Sequence, residues 1–383
     1  MNLCPKDNRP LQFIYDTDSI KNTDWYQPER KNMWRFSGLL PIAEDFTTLE
    51  EGHTPLLDYN DHPLAQQHNF ELYIKDEGKG HKGFGQNPTL SFKDRGMAMV
   101  INMAQHYKLD KLVVPTQGNA GDSLARYADH TGIAATIIMP DDTPAPIIGN
   151  VAALSRKNPN IQLEMVKGTI KEAGLLMKEK FIPQGHFNVA TFQEPGWRID
   201  GKKTMGLELT EPNIMSDQWQ LPDVILYPTG GGTGILGMWK AFDELEALGM
   251  IGAERPKIIA VQSEATPPVK NAIDKNLFEP EATDAGKTLA VGLNVAGGVG
   301  HFKVVDIVKK SGGTSVAISE QDIAQQLSHV WQEKHWWICP EGAACLAAID
   351  PLVEQGYIKS KDQVVVFNTG SFEKYLPEVR HLL

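Results

Sequence analysis

The ten residues Asn87-Pro88-Thr89-Leu90-Ser91-Phe92-Lys93-Asp94-Arg95-Gly96 place a lysine where lysine is a poor structural choice. Lys93 stands between an aromatic residue and an Asp-Arg-Gly step, at the predicted entrance to a helix over Met97-Ala98-Met99-Val100-Ile101-Asn102-Met103-Ala104. A cation there faces the positive end of the helix dipole, which disfavours the ammonium and leaves a more nucleophilic amine. Such an amine suits a Schiff base with a carbonyl compound. A surface lysine capped by Ser91 and paired with Asp94 would use the same residues. Segments downstream favour chemistry.

In open α/β sheets, ligands gather outside the carboxyl ends of strands, and three predicted strand ends carry matching residues. The first runs from Leu112-Val113-Val114-Pro115 into Thr116-Gln117-Gly118-Asn119-Ala120-Gly121, with a helix predicted from Asp122. Its glycines let backbone amides approach a ligand, and Asn119 offers a side-chain donor beside them; a capped turn would look the same. The second runs from Val224-Ile225-Leu226-Tyr227 into Pro228-Thr229-Gly230-Gly231-Gly232-Thr233-Gly234, ahead of a helix from Ile235. Consecutive glycines before a helix aim several N–H groups at one point, which makes a phosphate site. Gly232-Thr233-Gly234-Ile235-Leu236-Gly237 also satisfies G-x-G-x-x-G, and the next predicted strand leads to Glu264, an acid able to hold a ribose. A nicotinamide dinucleotide is therefore as compatible with this region as a simpler phosphorylated cofactor. The third end is Val364-Val365-Val366-Phe367 followed by Asn368-Thr369-Gly370-Ser371. Its hydroxyls could close a turn or offer a neutral partner to a heterocyclic nitrogen.

These loops need a scaffold of alternating strands and helices. Strands are predicted at residues 72–75, 112–115, 135–140, 162–166, 186–190, 224–227, 258–261 and 364–367, each ending in turn residues and most followed by a helical stretch. That pattern implies an α/β fold of two lobes, with open, mostly parallel sheets and flanking helices. The stretch 192–203, from Phe192 to Lys203, is the expected crossover between the lobes. The first fifty residues are polar and rich in tryptophan and tyrosine, and read as an arm laid over a core or a partner subunit. Trp331, Trp336, Trp337 and His335 read as packing residues, and Pro340-Glu341-Gly342-Ala343-Ala344 as a helix start with proline in its first turn.

At 383 residues the chain can build two domains and bury a cofactor. A formal net charge of −11 argues for small-molecule partners and against nucleic acid or an anionic membrane. The three cysteines, Cys4, Cys339 and Cys345, form no metal-binding pair and no disulfide framework, so neither a metal nor an oxidising compartment is expected. Without an apolar run of about 18–20 residues or a signal-like start, the expected location is the cytoplasm.

The lysine segment, the Q-G-N-A-G loop, the glycine-rich loop and the N-T-G-S terminus occur in the same order as in the pyridoxal-phosphate enzymes of the tryptophan-synthase-β type, fold type II. Ser91-Phe92-Lys93-Asp94-Arg95-Gly96, Gly52-His53-Thr54-Pro55-Leu56-Leu57 and Arg198-Ile199-Asp200-Gly201-Lys202-Lys203-Thr204 each resemble segments of the threonine synthase family. The resemblance implies a pyridoxal 5'-phosphate lyase that converts O-phospho-L-homoserine and water to L-threonine and phosphate, in a homodimer. It makes Lys93 the Schiff-base lysine and proton shuttle, with Phe92 beside it. Asn119 would bond the cofactor's phenolic oxygen, Gly230, Gly231, Gly232, Thr233 and Gly234 its phosphate, and Thr369 would face its pyridine nitrogen. Thr116 and Gln117 would hold the substrate carboxylate, and Arg198, with Lys202 or Lys203, the substrate phosphate. It also implies a larger cofactor-binding domain from residues 1–92 and 193–383 and a smaller one from 93–192.

The sequence departs from that pattern at Leu90 and Gln117, where glycine and serine or threonine are common in the family. Gln193 stands where an asparagine is expected to help clamp the substrate phosphate. A serine/threonine or diaminopropionate ammonia-lyase, which needs no phosphate clamp, is the alternative within the fold. The nicotinamide-dependent oxidoreductase suggested by the glycine pattern is the alternative outside it.

Overall fold

A computed structural model describes residues 3–382. Ten strands form two sheets: β1 (Leu56–Asp58), β2 (Glu71–Asp76), β3 (Lys111–Pro115), β4 (Ala134–Pro140), β5 (Ile161–Val166), β6 (Phe187–Asn188), β7 (Val224–Pro228), β8 (Lys257–Ser263), β9 (Thr314–Ile318) and β10 (Gln363–Asn368). The larger sheet has the order β1-β2-β10-β7-β8-β9 and the smaller β5-β4-β3-β6. Every pairing is parallel except β1 with β2. The fold is thus α/β with mixed and parallel sheets flanked by helices, as the alternating pattern implies.

A parallel sheet covered by helices on both faces must be apolar on both faces, and side chains alternate between two cores. Val224, Leu226, Ile259, Val261, Val364 and Val366 face one cluster, shared with the helices Glu320–Lys334 and Pro340–Ala347. Ile225, Tyr227, Ile258, Ala260, Val365 and Phe367 face the other, shared with helices Trp197–Thr210 and Thr233–Ala247. In the smaller sheet, Leu112, Val114, Ile137 and Met139 pack under helices Lys93–His106 and Asn119–Thr131.

Two strands escaped the sequence pattern. β1 has only three residues, too few for a period-2 signal, and β9 is a short edge strand whose apolar residues are interrupted by small ones. The predicted strand at 186–190 shrinks to Phe187–Asn188. Helices begin earlier than predicted, at Lys93, Asn119 and Thr233, because glycines that look like loop residues are packing sites in their first turns. A Cβ at Gly121 would lie 2.5 Å from Thr116 Cγ2, and one at Gly234 would lie 2.0 Å from the Tyr227 hydroxyl. Only the first part of the stretch 192–203 is a crossover: Trp197–Thr210 is a helix buried along its whole length.

The early segment packs into both cores. Met33 and Trp34 join the core under the smaller sheet, while Phe36 and Leu39 join the core of the larger one. Trp34 Nε1 donates to Glu51 at 2.6 Å. The tryptophans near the far end also pack, with Trp337 edge-on to Phe372 and to Trp331, and His335 closes its helix in a left-handed conformation.

Arg95, fully buried, ties three segments together. Its guanidinium makes paired bonds to Glu77 (2.8 and 2.9 Å) at the end of β2 and to Glu208 (2.7 and 2.7 Å) on the Trp197–Thr210 helix. Lys75 also donates to Glu208 at 2.9 Å, so two cations meet two carboxylates and the buried cluster is neutral. Glu208 in turn accepts from the amides of His53 and Thr54. Burial alone would raise both carboxyls, but Arg95 outweighs it and holds them below the usual carboxylate range. Removing one partner of such a cluster leaves a buried charge uncompensated. Arg95→Met is therefore expected to destabilise the protein by about 3–5 kcal/mol, read from the denaturant midpoint at constant slope. Carboxyls held low add stability that is complete above their ordinary pKa and is lost as pH falls below it. The gap between wild type and variant should accordingly narrow on acidification below pH 4.5.

Candidate active site

The carboxyl ends of β3, β7 and β10 open into a cavity of about 380 Å³. It is lined by Phe92 and Lys93, by Thr116, Gln117 and Asn119, by residues 230–234, and by Arg198 and Thr369. Loops from both sheets thus bring together the segments singled out above. Two do not line it: Lys202 lies behind it, and Lys203 is elsewhere.

Lys93 opens its helix, and the turn before it is tightly held. Ser91 Oγ accepts from the Lys93 amide at 3.2 Å, and Asp94 accepts from the amide and hydroxyl of Thr89 and from Ser123. Asp94 therefore fixes the turn and does not pair with the Lys93 ammonium. Lys93 Nζ sits 4.0 Å from the centroid of the Phe92 ring and has no ion pair among the described residues. Burial, then the nearby Arg198, push its pKa down to about 7. Desolvation, rather than the helix dipole expected from the sequence, is thus the first cause. Leu90, just before Ser91, has φ +55. That left-handed conformation strains any residue with a Cβ, which explains why glycine would be favoured there.

The glycine loop needs its glycines. A Cβ at Gly230 would fall 2.2 Å from the Gly292 carbonyl oxygen, and Gly232 has φ +77 with Val304 at 2.2 Å from its added Cβ. The loop precedes the helix Thr233–Ala247, whose first amides point back into the cavity mouth. Amides converging in this way can hold phosphate oxygens. His301 Nε2 donates to the Gly230 carbonyl at 2.8 Å and holds the loop from below. Lys202 Nζ donates to Thr233 Oγ1 at 2.6 Å and lies 4.8 Å from the Phe92 ring. Burial, then Arg198 and Lys93, push its pKa well below the ordinary value.

Arg198 is buried, donates to the Val189 carbonyl at 3.1 Å, and leaves its buried Nε without a partner. Glu194, fully buried, accepts from the Arg198 amide at 3.3 Å; burial raises its carboxyl to about 7 although Arg198 opposes this. Lys203, read from sequence as part of a basic turn that could steady a phosphate, is instead buried against Asp200 (3.1 Å) and Glu244 (2.8 Å) and does not line the cavity. Gln193 does not line it either, and Gln117 does, with its amide 3.4 Å from Asp142.

Asn119 and Thr369 approach from opposite sheets. Asn119 Nδ2 donates to the Tyr375 hydroxyl at 3.2 Å. The Thr369 carbonyl accepts from the Phe92 amide at 3.2 Å, joining the lysine segment to the end of β10. Ser371, two residues further on, caps the short helix Phe372–Tyr375 and so takes the turn-closing role. Glu341 and Tyr375 also line the cavity and were not singled out as site residues. They have no motif of their own, and only the place of Pro340-Glu341-Gly342 in the first turn of a helix marked the first. The glycine-rich rim over residues 291–299 was missed in the same way. Glu264, the acid a dinucleotide site would use, is exposed and away from the cavity, so that reading lacks its ribose contact. Among the described residues, no cluster of His, Cys, Asp or Glu could hold a metal, and no helix is long and apolar enough to cross a membrane.

A family model described as "Pyridoxal-phosphate dependent enzyme" matches residues 47–370. A threonine synthase of Methanocaldococcus jannaschii is 27% identical over 373 residues, covering 94% of this chain and 85% of the relative. Another, from Methanosarcina acetivorans, is 27% identical and covers 97% of this chain and 87% of its own. Among solved structures, a diaminopropionate ammonia lyase from Escherichia coli superposes with a TM-score of 0.69 at 17% identity, covering 88% of each chain. Threonine deaminase isoform 2 from Solanum lycopersicum gives 0.65 at 23% identity, covering 86% of this chain and 88% of that one.

An amine whose pKa is depressed to about 7 is mostly neutral, and nucleophilic, above that pH. Mixing cofactor-free protein with pyridoxal phosphate should give a condensation rate that climbs about tenfold per pH unit up to about 7 and then levels. A rate still climbing at pH 9 would show an ordinary lysine.

Proposed function

This chain belongs to the pyridoxal-phosphate-dependent enzymes and uses that cofactor, and within the family we propose that it is a lyase that converts O-phospho-L-homoserine and water to L-threonine and phosphate. The observation that carries this reading is a buried cation, Arg198, in the wall of the same cavity as the glycine loop. Besides the glycine loop, which suffices for one phosphate, the cavity presents Arg198 with a buried, unpartnered Nε. The threonine synthase names of the curated relatives support the same substrate.

The residues present fit the cofactor. Lys93 would carry its carbonyl carbon, residues 230–234 its phosphate, Asn119 its ring oxygen, and Thr369 its ring nitrogen, with Phe92 beside the lysine. When bound, the cofactor withdraws electrons from the substrate's α carbon. A hydroxyl at the ring nitrogen, unlike a carboxylate, does not strongly favour its protonation, which suits elimination and replacement more than transamination.

Lys93 would take a proton from the α carbon and one from the β carbon; once phosphate has left, one proton is returned at the γ carbon, which becomes the methyl group, and one at the α carbon. A neutral amine near pH 7 is matched to both tasks. Thr116 and Gln117 would hold the substrate carboxylate. Arg198 would take the phosphate leaving from the γ carbon, a task suited to a guanidinium's fixed fork, before water adds at the β carbon. Lys202 lies behind Phe92 and Thr233, where a bound phosphate would favour its charged form. We further read residues 93–192 as a smaller domain and 1–92 with 193–383 as the larger one, joined in a homodimer in the cytoplasm.

A second reading, an ammonia-lyase on serine, threonine or diaminopropionate, gains from Gln193, which stands where a phosphate-clamping asparagine was expected and does not line the cavity.

Protein loaded with pyridoxal phosphate and given O-phospho-L-homoserine is expected to release phosphate and threonine one to one, and Lys93→Ala protein neither. Deamination of L-threonine faster than phosphate release would favour the ammonia-lyase. Arg198→Ala should raise KM for phosphohomoserine by about 10- to 100-fold and leave KM for an unphosphorylated amino acid within a few fold. Equal effects on both would remove Arg198 from phosphate recognition.

A further inference from the structure

A polar chain runs from the outside of the cavity to its wall. Lys374 Nζ donates to Asn119 Oδ1 at 2.8 Å and to Asp122 at 2.9 Å. Asn119 Nδ2 donates to the Tyr375 hydroxyl at 3.2 Å, and that hydroxyl donates to Glu341 Oε1 at 3.1 Å. Lys374, Tyr375 and Glu341 are buried, Asn119 half-buried. Asn119 and Asp122 belong to the smaller sheet's side, Lys374, Tyr375 and Glu341 to the larger's.

The direction of the chain follows from what its ends can do. An ammonium has only donors and an ionised carboxylate only acceptors. Lys374 therefore requires the amide oxygen of Asn119, and Glu341 requires the proton of Tyr375, leaving the Tyr375 oxygen to accept from Nδ2. Burial, then Glu341, hold the Tyr375 hydroxyl protonated by raising its pKa well above the ordinary value. An asparagine amide otherwise has two nearly isosteric orientations related by a flip. Here the flipped one would set an NH2 group against an ammonium and an amide oxygen against a hydroxyl whose proton is already committed. Nδ2 carries two hydrogens, one for Tyr375 and one for the cavity.

We propose that Lys374, which does not itself line the cavity, is a positioning residue that locks the Asn119 amide with its NH2 group toward the cofactor's ring oxygen, against Tyr375 and Glu341 at the other end of the chain. This rests on the placement of Asn119 at that oxygen and is independent of which amino acid is the substrate.

The test uses full-length protein loaded with pyridoxal phosphate and reads the visible absorption band and the dissociation constant of the cofactor. Lys374→Met should shift the band and raise the dissociation constant on the order of tenfold, and Lys374→Arg, which keeps a donor-only cation, should restore both. Asp122→Asn should leave the band in place, because the ammonium still engages Asn119. If Lys374→Met fails to fold for want of a partner to Asp122, the double variant Lys374→Met, Asp122→Asn removes both buried charges and should show the same shift. A band and dissociation constant unchanged in the variant lacking Lys374 overturn the proposal. So does an Asp122→Asn protein that reproduces the Lys374→Met spectrum, which makes Lys374 a tie between the sheets. An Asn119→Ala protein with an unmoved band overturns the placement of Asn119 beneath it, whatever the turnover of O-phospho-L-homoserine.

Discussion

One guanidinium holds the architecture of the site. Arg95 is buried between Glu77 and Glu208 and bonds each through two nitrogens, while Lys75 balances the second carboxylate. Each group alone would be costly to bury; as a neutral set of four they are satisfied and directional. Planar forks fix angle as well as distance, so the end of β2, the Lys93 helix and the Trp197–Thr210 helix hold one mutual orientation. Lys93 and Arg198 sit on two of these three elements. A hydrophobic contact of equal strength would hold them together without fixing how far one turns against another.

The same constraint gathers charge. With the two helices pinned, burial and then the proximity of Arg198 depress the ionisation of Lys93 and Lys202, and Glu194 is the one carboxylate that answers Arg198. Basic groups that outnumber their carboxylates leave an excess that a bound anion would hold in the charged form. The excess sits beside a glycine loop whose close approaches leave no room for side chains, so phosphate oxygens can reach backbone amides there. Lys93, pressed against Phe92 and short of partners, is left as an amine available for bonding to carbon.

Much of this was legible in the sequence. The glycine loop, the Asn119 turn and the Thr369 terminus each end a strand of apolar residues, and strand ends are where α/β folds bind ligands. Lys93 stood out because helix entrances disfavour cations. What stayed hidden was long-range. Arg95 and Glu208 are 113 positions apart, and neither charge carries a mark of burial in a linear pattern. Lys203 looked like its neighbour Lys202 but faces Asp200 and Glu244, a consequence of helical phase in a helix buried on all sides. Such a helix has no polar face to reveal which side meets the cavity. Tyr375 and Lys374 reach Asn119 only because the two sheets meet there.

The claim on which the chemistry turns is that Lys93, and no other lysine near the cavity, forms the bond to the cofactor. Borohydride reduction of the protein loaded with pyridoxal phosphate, followed by peptide mapping, tests it directly. A single reduced adduct on Lys93 is the predicted result. An adduct on Lys202, or a visible band that borohydride leaves intact, would contradict it.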